Sequence, residues 1–262
     1  MGNVLESRWI QRLQPISTAD VRLIAFPHAG GAASYFFPLA HALRQAEHPS
    51  ALDIMAVQYP GRQDRRREPC IDDLQALADA ACRELLPFAD RPLLLFGHSM
   101  GALLAYEVTR RLEQEHGIVP LTLFASGRRA PSISRPESVH RLPDSDVVKE
   151  IGLLDGTDSA LLSDPELLQM VLPAIRGDYK AVETYAFRPG PRLQCPIHAI
   201  LGDADPRVSV EDAEAWAEQT SGSFELSVVK GGHFYLKDQQ DFLVAKIMDR
   251  LTKISEGRTR HG

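Results

Sequence analysis

The sequence predicts an α/β protein, a mostly parallel sheet with helices on both faces and a helical insertion over about residues 128–189. Three observations predict it. Short apolar runs of strand composition alternate with longer segments whose apolar residues recur at helical spacing, which is the rhythm of a parallel sheet. One run, 92–96, leads through Gly97-His98-Ser99-Met100-Gly101 straight into an amphipathic helix. Between the runs ending at Ser126 and resuming at Ile197 there is no clear strand, only short helical stretches joined by Pro, Gly, Ser and Asp.

Each element has its own grounds. A polar N-terminal arm precedes Val21–Phe26, a strand stopped by Pro27 and followed by the loop His28-Ala29-Gly30-Gly31-Ala32. Over 34–45, Phe36, Leu39, Ala40 and Leu43 have helical spacing and read as core residues. Residues 53–59 form a strand ended by Pro60-Gly61, and 72–86 a helix with Leu74, Leu77, Ala78, Ala81 and Leu85 on one face. After the 92–96 strand comes a helix stopped at Gly117, then a strand at 121–126. Within the insertion, 144–154, 165–176 and 178–187 read as helices. Their surplus of apolar residues, among them Ile151, Leu154, Leu161, Leu162, Met170 and Val171, points to a greasy cleft. Sheet rhythm returns at 197–201, followed by a helix capped by the Ser209/Asp212 pair. Phe224–Val229 is the last strand; a helix over 237–254 closes the domain, and 255–262 reads as a disordered tail.

Composition narrows the function. The 262 residues suit one domain, and 44% hydrophobic content supports a sizeable core. A formal charge of −6 argues against a general nucleic-acid or membrane-surface binder. The N-terminus has no apolar h-region, Glu6 stands where a myristoylation signal needs serine or threonine, and no apolar run reaches a membrane span. A cytoplasmic monomer is expected. Cys70, Cys82 and Cys195 lack metal-like spacing and read as reduced thiols, and nothing calls for a metal or cofactor.

Gly97-x-Ser99-x-Gly101, between a buried strand and a helix, is the pattern of a nucleophile elbow, in which the serine hydroxyl stands exposed on a strained turn. Ser99 is the candidate nucleophile. A serine hydroxyl needs an adjacent base, and the base needs a carboxylate to fix its tautomer. In the α/β-hydrolase order these follow as Asp, then His. Asp205 lies in the loop after one late strand and His233 in the loop after the next. Asp203 is the rival carboxylate and His28 the rival base; His28 is expected instead to shape its loop through hydrogen bonds, and His98 to point away from Ser99. The oxyanion donors would be the backbone N–H groups of Met100 and Ala29.

The chain resembles the type II thioesterases that accompany polyketide and nonribosomal peptide synthases. The likeness rests on Phe26-Pro-His-Ala-Gly-Gly31, Tyr59-Pro-Gly-Arg62, Gly97-His-Ser-Met-Gly-Ala102, Ser126-Gly-Arg-Arg-Ala-Pro131, Gly202-Asp-Ala-Asp-Pro206 and Gly232-His-Phe-Tyr-Leu236, in that order. It implies an α/β-hydrolase fold and a Ser99/Asp205/His233 triad, and so favours Asp205 over Asp203. It further implies hydrolysis of acyl groups from the phosphopantetheine arm of a carrier protein acting in trans. Carrier proteins are usually acidic, so Arg62, Arg65, Arg66 and Arg67, helped by Arg128 and Arg129, are expected as the docking patch. The competing readings are a small-ester carboxylesterase and a non-catalytic protein on the same scaffold.

Overall fold

The computed structural model describes residues 7–16, 18–46, 51–154 and 164–259. Its seven-stranded sheet runs β1(Ile10–Gln14), β3(Leu52–Val57), β2(Val21–Phe26), β4(Leu93–His98), β5(Thr122–Ser126), β6(Ile197–Gly202) and β7(Phe224–Val229) from edge to edge. All neighbours are parallel except β1, which pairs antiparallel with β3. This is the predicted architecture with one added strand. The N-terminal arm is not free: Ile10 is buried opposite Val57, and the Arg12 guanidinium pairs with the wholly buried Asp53 carboxylate of β3.

Every residue of β3, β4, β5 and β6 is buried, as strands covered on both faces must be. On one face pack α2(Leu74–Leu85) and α3(Met100–His116), with the fully buried Trp216 in the same core. The other is covered by α1(Phe37–Gln45) and α7(Gln240–Thr259), where Phe36, Leu39, Ala40 and Leu43 are core residues as expected. The Ser209/Asp212 cap and the Gly117 stop read from the sequence are present, and Asp73 adds a cap that the sequence reading does not include. Asp73 accepts from Ala76 N at 2.8 Å, Ser209 and Asp212 form a reciprocal capping box on α6(Val210–Glu214), and Gly117 ends α3 with φ 66°.

Two boundaries differ from expectation. Residues 165–183 form one helix, α5(Pro165–Glu183), rather than two. Gly177, which reads as a break, sits inside it because the Cys70 side chain packs there: a Cβ on Gly177 would stand 3.0 Å from Cys70 Cβ. The closing helix runs on to Thr259, so 255–259 are helical rather than a tail. Residues 260–262, and Leu161 and Leu162 of the expected cleft, lie outside the described residues. The insertion carries a small core of its own, in which Val147 and Ile151 of α4(Asp144–Gly152) meet Leu172 and Ile175 of α5. No helix among the described residues is long and apolar enough to cross a membrane.

The sheet directs the site to one edge. From β2 the chain moves outward to β3 and then crosses back to β4 on the other side of β2, so the loops after β2 and β4 open towards each other, the place where open α/β sheets take ligands. Register brings these ends level: Phe26 lies opposite Gly97, and Gly97 opposite Ala125.

Candidate active site

Ser99 joins β4 to α3 with φ 55° and ψ −117°, a region that non-glycine residues occupy only under constraint. The constraint is visible on both sides. A Cβ on Gly97 would lie 2.2 Å from the Gly101 carbonyl oxygen, and one on Gly101 would lie 1.9 Å from the Phe26 carbonyl oxygen. Both glycines are therefore demanded by backbone crossing backbone at the strand end. The Ser99 N–H donates to the Ser126 carbonyl at 2.8 Å, tying the turn to β5.

His233, buried in the loop after β7, places Nε2 at 3.0 Å from Ser99 Oγ and Nδ1 at 2.8 Å from Asp205 Oδ2. With the Asp205 carboxylate accepting from Nδ1–H, the Nε2 lone pair faces the serine hydroxyl, the arrangement a general base needs. The Asp205 side chain is fully enclosed, and its second oxygen accepts from Arg207 N–H at 2.8 Å. Asp203 does something else: exposed, it accepts from Gly231 N–H at 2.9 Å and steadies the loop that presents His233.

The other two histidines are kept neutral. His98 is buried, its pKa pushed well below the usual range by burial and then by the neighbouring His233 and His28. Its Nδ1 lies 2.9 Å from Ser126 Oγ, which continues at 2.6 Å to Tyr235 OH, so it points away from Ser99 as expected. Burial, then the positive charge available to His233 and Arg62, lowers His28 to about 3. The expectation that the His28 side chain shapes its loop by hydrogen bonding does not hold for Nδ1, which has no partner among the described residues. Instead the ring packs edge-on against Tyr35 and Phe234, and the His28 backbone carbonyl accepts from Gly31 N–H at 2.9 Å.

The loop after β2 is held by an ion pair that sequence reading missed. Arg62, buried, donates to both oxygens of the buried Asp178 of α5 at 2.6 and 2.8 Å, and to the Gly31 carbonyl at 3.0 Å. Asp178 Oδ2 also accepts from Gly30 N–H at 2.7 Å. Burial works against the Arg62 charge, but the Asp178 carboxylate outweighs it and raises the Arg62 pKa. A signal existed: Asp178 falls at helical spacing on a stripe otherwise made by Val171, Ala174, Ile175 and Ala181.

The arginine cluster is consequently not the surface patch expected. Arg65 is buried over the Trp9 ring, 4.3 Å from its centroid, and donates to the Gln58 carbonyl at 2.7 Å. Arg129 is buried against Glu137, and Arg128 lines the interior. Of the six arginines, Arg66 and Arg67 are the exposed ones.

Ser99, His233, Ala29 and Met100 line one cavity of about 50 Å³, the four groups the sequence singled out for nucleophile, base and oxyanion donors. On the other side of the Ala29 loop a cavity of about 690 Å³ runs beneath α4 and α5, with Ile151, Met170, Val171 and Ile175 on its apolar wall and Gln63 and Arg66 at its polar one. Ala29, Leu154 and Tyr179 line both.

The Thioesterase domain family matches residues 21–251. The chain is 47% identical over 250 residues to the thioesterase PikA5 of Streptomyces venezuelae, covering 95% of this chain and 87% of that protein. To a probable cadicidin biosynthesis thioesterase of Streptomyces griseus it is 46% identical over 245 residues, covering 94% of this chain and 66% of that one. Among solved structures, the type II thioesterase BorB from the borrelidin biosynthetic cluster superposes with a TM-score of 0.86 at 46% identity, covering 95% of this chain and all of the other.

Proposed function

This chain belongs to the thioesterase family of thioester hydrolases, and on that footing we propose that it acts as an editing thioesterase in polyketide or nonribosomal peptide synthesis. In this reading it removes stalled or wrongly primed acyl groups from the phosphopantetheine arm of a carrier protein that arrives in trans. The whole chain is one cytoplasmic catalytic domain, and its helical insertion roofs the site. The observation that carries the proposal is the unbroken series Asp205–His233–Ser99 opening on the cavity shared with Ala29 and Met100.

Ser99 Oγ attacks the thioester carbonyl as His233 Nε2 takes its proton, and the charge on the imidazolium is balanced by Asp205. The oxyanion of the tetrahedral intermediate is received by the N–H groups of Met100 and Ala29. Collapse breaks the carbon–sulfur bond, and the departing thiolate leaves with the proton from His233. A water then gives its proton to His233 and attacks the acyl-serine, and release of the carboxylic acid restores Ser99. A small-ester hydrolase would use the same groups, but the relatives matched over nearly the whole chain favour thioesters.

The test is mass spectrometry of a short-chain acyl carrier protein incubated with wild type and with Ser99→Ala, beside a nitrophenyl ester. Wild type should clear the carrier and Ser99→Ala should not. A wild type that cleaves the ester but spares several acyl carriers would overturn the proposal.

A further inference from the structure

Resting on the pairing of Ser99 with His233 in the reading above, we propose that Ser126 is a positioning residue that fixes both partners of the proton transfer from one place. Its backbone carbonyl holds the nucleophile, and its hydroxyl holds the loop that carries the base.

The need for such a residue follows from the order of the strands. Ser99 comes at the end of β4, whereas His233 follows β7, and β5 and β6 lie between them in the sheet. Strand register sets Ser99 against β5: His98 lies opposite Ser126, and the Ser99 N–H donates to the Ser126 carbonyl at 2.8 Å. Register does nothing of the kind for His233, whose loop must lean across β6 and β5 to bring Nε2 to 3.0 Å from Ser99 Oγ. The backbone of that loop is held first at the turn after β6. Gly231 N–H donates to Asp203, the Gly231 carbonyl accepts from Ala204 N–H at 2.9 Å, and His233 itself pairs with Asp205. Among the described residues, and apart from the contact of His233 with Ser99, one hydrogen bond from residues 230–236 reaches β5. It joins Tyr235 OH to Ser126 Oγ at 2.6 Å.

The same hydroxyl has a second hold on the base. Ser126 Oγ lies 2.9 Å from His98 Nδ1, and the His98 ring stands 5.2 Å from the His233 ring, centroid to centroid. Gly127 leaves room for the two rings, since a Cβ there would stand 2.8 Å from His98 Cε1 and 3.6 Å from His233 Cε1. A serine hydroxyl can donate one hydrogen bond and accept two, which is enough for both contacts.

Position in the fold separates this role from substrate binding. Ser126, His98 and Tyr235 are fully buried, and none of them lines the cavity at Ser99 or the larger one beyond the Ala29 loop. Their influence on the reaction therefore passes through Ser99 and His233. A displacement of about 1 Å in such a constellation can cost on the order of 10²-fold in rate, while the walls that receive the substrate stay as they are.

The probe is an alkyl fluorophosphonate, which needs neither a carrier nor a thioester. Ser99 Oγ bonds to phosphorus, fluoride leaves, and His233 takes the serine proton. Its kinact and KI are measured for wild type, Ser126→Ala, Tyr235→Phe and the double variant, with melting temperatures alongside. Tyr235→Phe keeps the ring and its packing and removes only the hydroxyl. Each single variant should lower kinact by roughly tenfold or more with KI unchanged. The double variant should match Ser126→Ala within about twofold, because the same contact is already gone. Wild-type kinact in Tyr235→Phe overturns the inference and leaves the triad standing, even where Ser126→Ala fails to fold. So does a lowered melting temperature with kinact intact, or a rise in KI alone. A double variant slowed by the product of the two singles also overturns it, since the two hydroxyls would then act separately. If the probe does not label wild type at Ser99, the triad reading falls and this inference with it.

Discussion

Asp178 accepts a hydrogen bond from the Gly30 backbone N–H at 2.7 Å while both of its oxygens hold the Arg62 guanidinium, so a helix of the insertion sets the backbone beside Ser99. The contact spans 148 positions and ties α5 to the loop after β2. Removing one partner of such a buried pair leaves an uncompensated charge, at a cost of about 3–5 kcal/mol. Asp178→Ala should therefore lower stability by that order in urea unfolding. The Asp178→Leu/Arg62→Met double variant should lose less than the sum of its two singles. If Ala29 N–H is an oxyanion donor, kcat in Asp178→Ala falls too, with the ~10²–10³-fold loss of one donor as the ceiling. Full activity in Asp178→Ala would show that the clamp does not set the donor.

Asp203 and Asp205 differ in what their carboxylates hold, and amide replacements separate them. Asp205→Asn offers His233 a donor or a weaker acceptor and loosens its tautomer; in a serine protease the equivalent change costs about 10⁴-fold in kcat. Asp203→Asn keeps an oxygen for Gly231 N–H and should leave kcat within about threefold, since one exposed hydrogen bond is retained. The reverse ranking would exchange the two assignments.

Much of this site is legible in the sequence because its parts are local. The elbow needs a strand, a turn and a helix in succession, and the sequence has all three around Ser99. Asp205 and His233 each follow a recognisable strand. What is not legible depends on partners far along the chain. Ile10–Gln14 becomes a strand because β3 presents an open edge and a buried Asp53 for Arg12, neither of which is written in the arm itself. Arg62 and Arg65 look like a solvated cluster until Asp178 and Trp9 are brought to them. Gly177 reads as a helix stop because its neighbour Cys70 is unseen.

Two glycines at the ends of α3, Gly101 in its first turn and Gly117 at its C-cap, should respond differently to alanine. At Gly117 a Cβ would meet nothing within 4 Å, so Gly117→Ala carries only the left-handed backbone penalty of about 1–2 kcal/mol. At Gly101 a Cβ would stand 1.9 Å from a main-chain oxygen, and no rotamer change can relieve that. Gly101→Ala should fail to give a cooperative thermal transition or active enzyme, whereas Gly117→Ala melts a few degrees lower with kcat unchanged. Equal stability of the two variants would contradict the crossing at the strand end.

His28 and His98 set an acid limit on stability. His28 is neutral in the fold down to about 3 but titrates near 6.5 when unfolded. The unfolded chain therefore binds the extra proton between those values, and stability present above pH 6.5 is lost as pH falls toward 3. His98 adds to the loss in the same direction. His28→Phe keeps an aromatic ring against Tyr35 and Phe234, and should move the acid-unfolding midpoint to lower pH in a circular dichroism titration. A midpoint moved upward, or not at all, would show that this ring is not the acid liability.

Arg66 and Arg67 are exposed, and Arg66 stands at the wall of the larger cavity beside the Ala29 loop. An acidic carrier protein approaching this face would meet these two charges first. Exposed charges act mainly on encounter, so their effect should appear in KM and fade with salt. The Arg66→Glu/Arg67→Glu variant should raise KM for a carrier-bound acyl group several-fold at low ionic strength and leave KM for the matching N-acetylcysteamine thioester alone. Both charges lie outside the Asp178 clamp and the Ser99 chamber, so kcat should be unaffected on either substrate. An equal rise in KM for both substrates would place the effect in the cavity wall rather than in carrier docking.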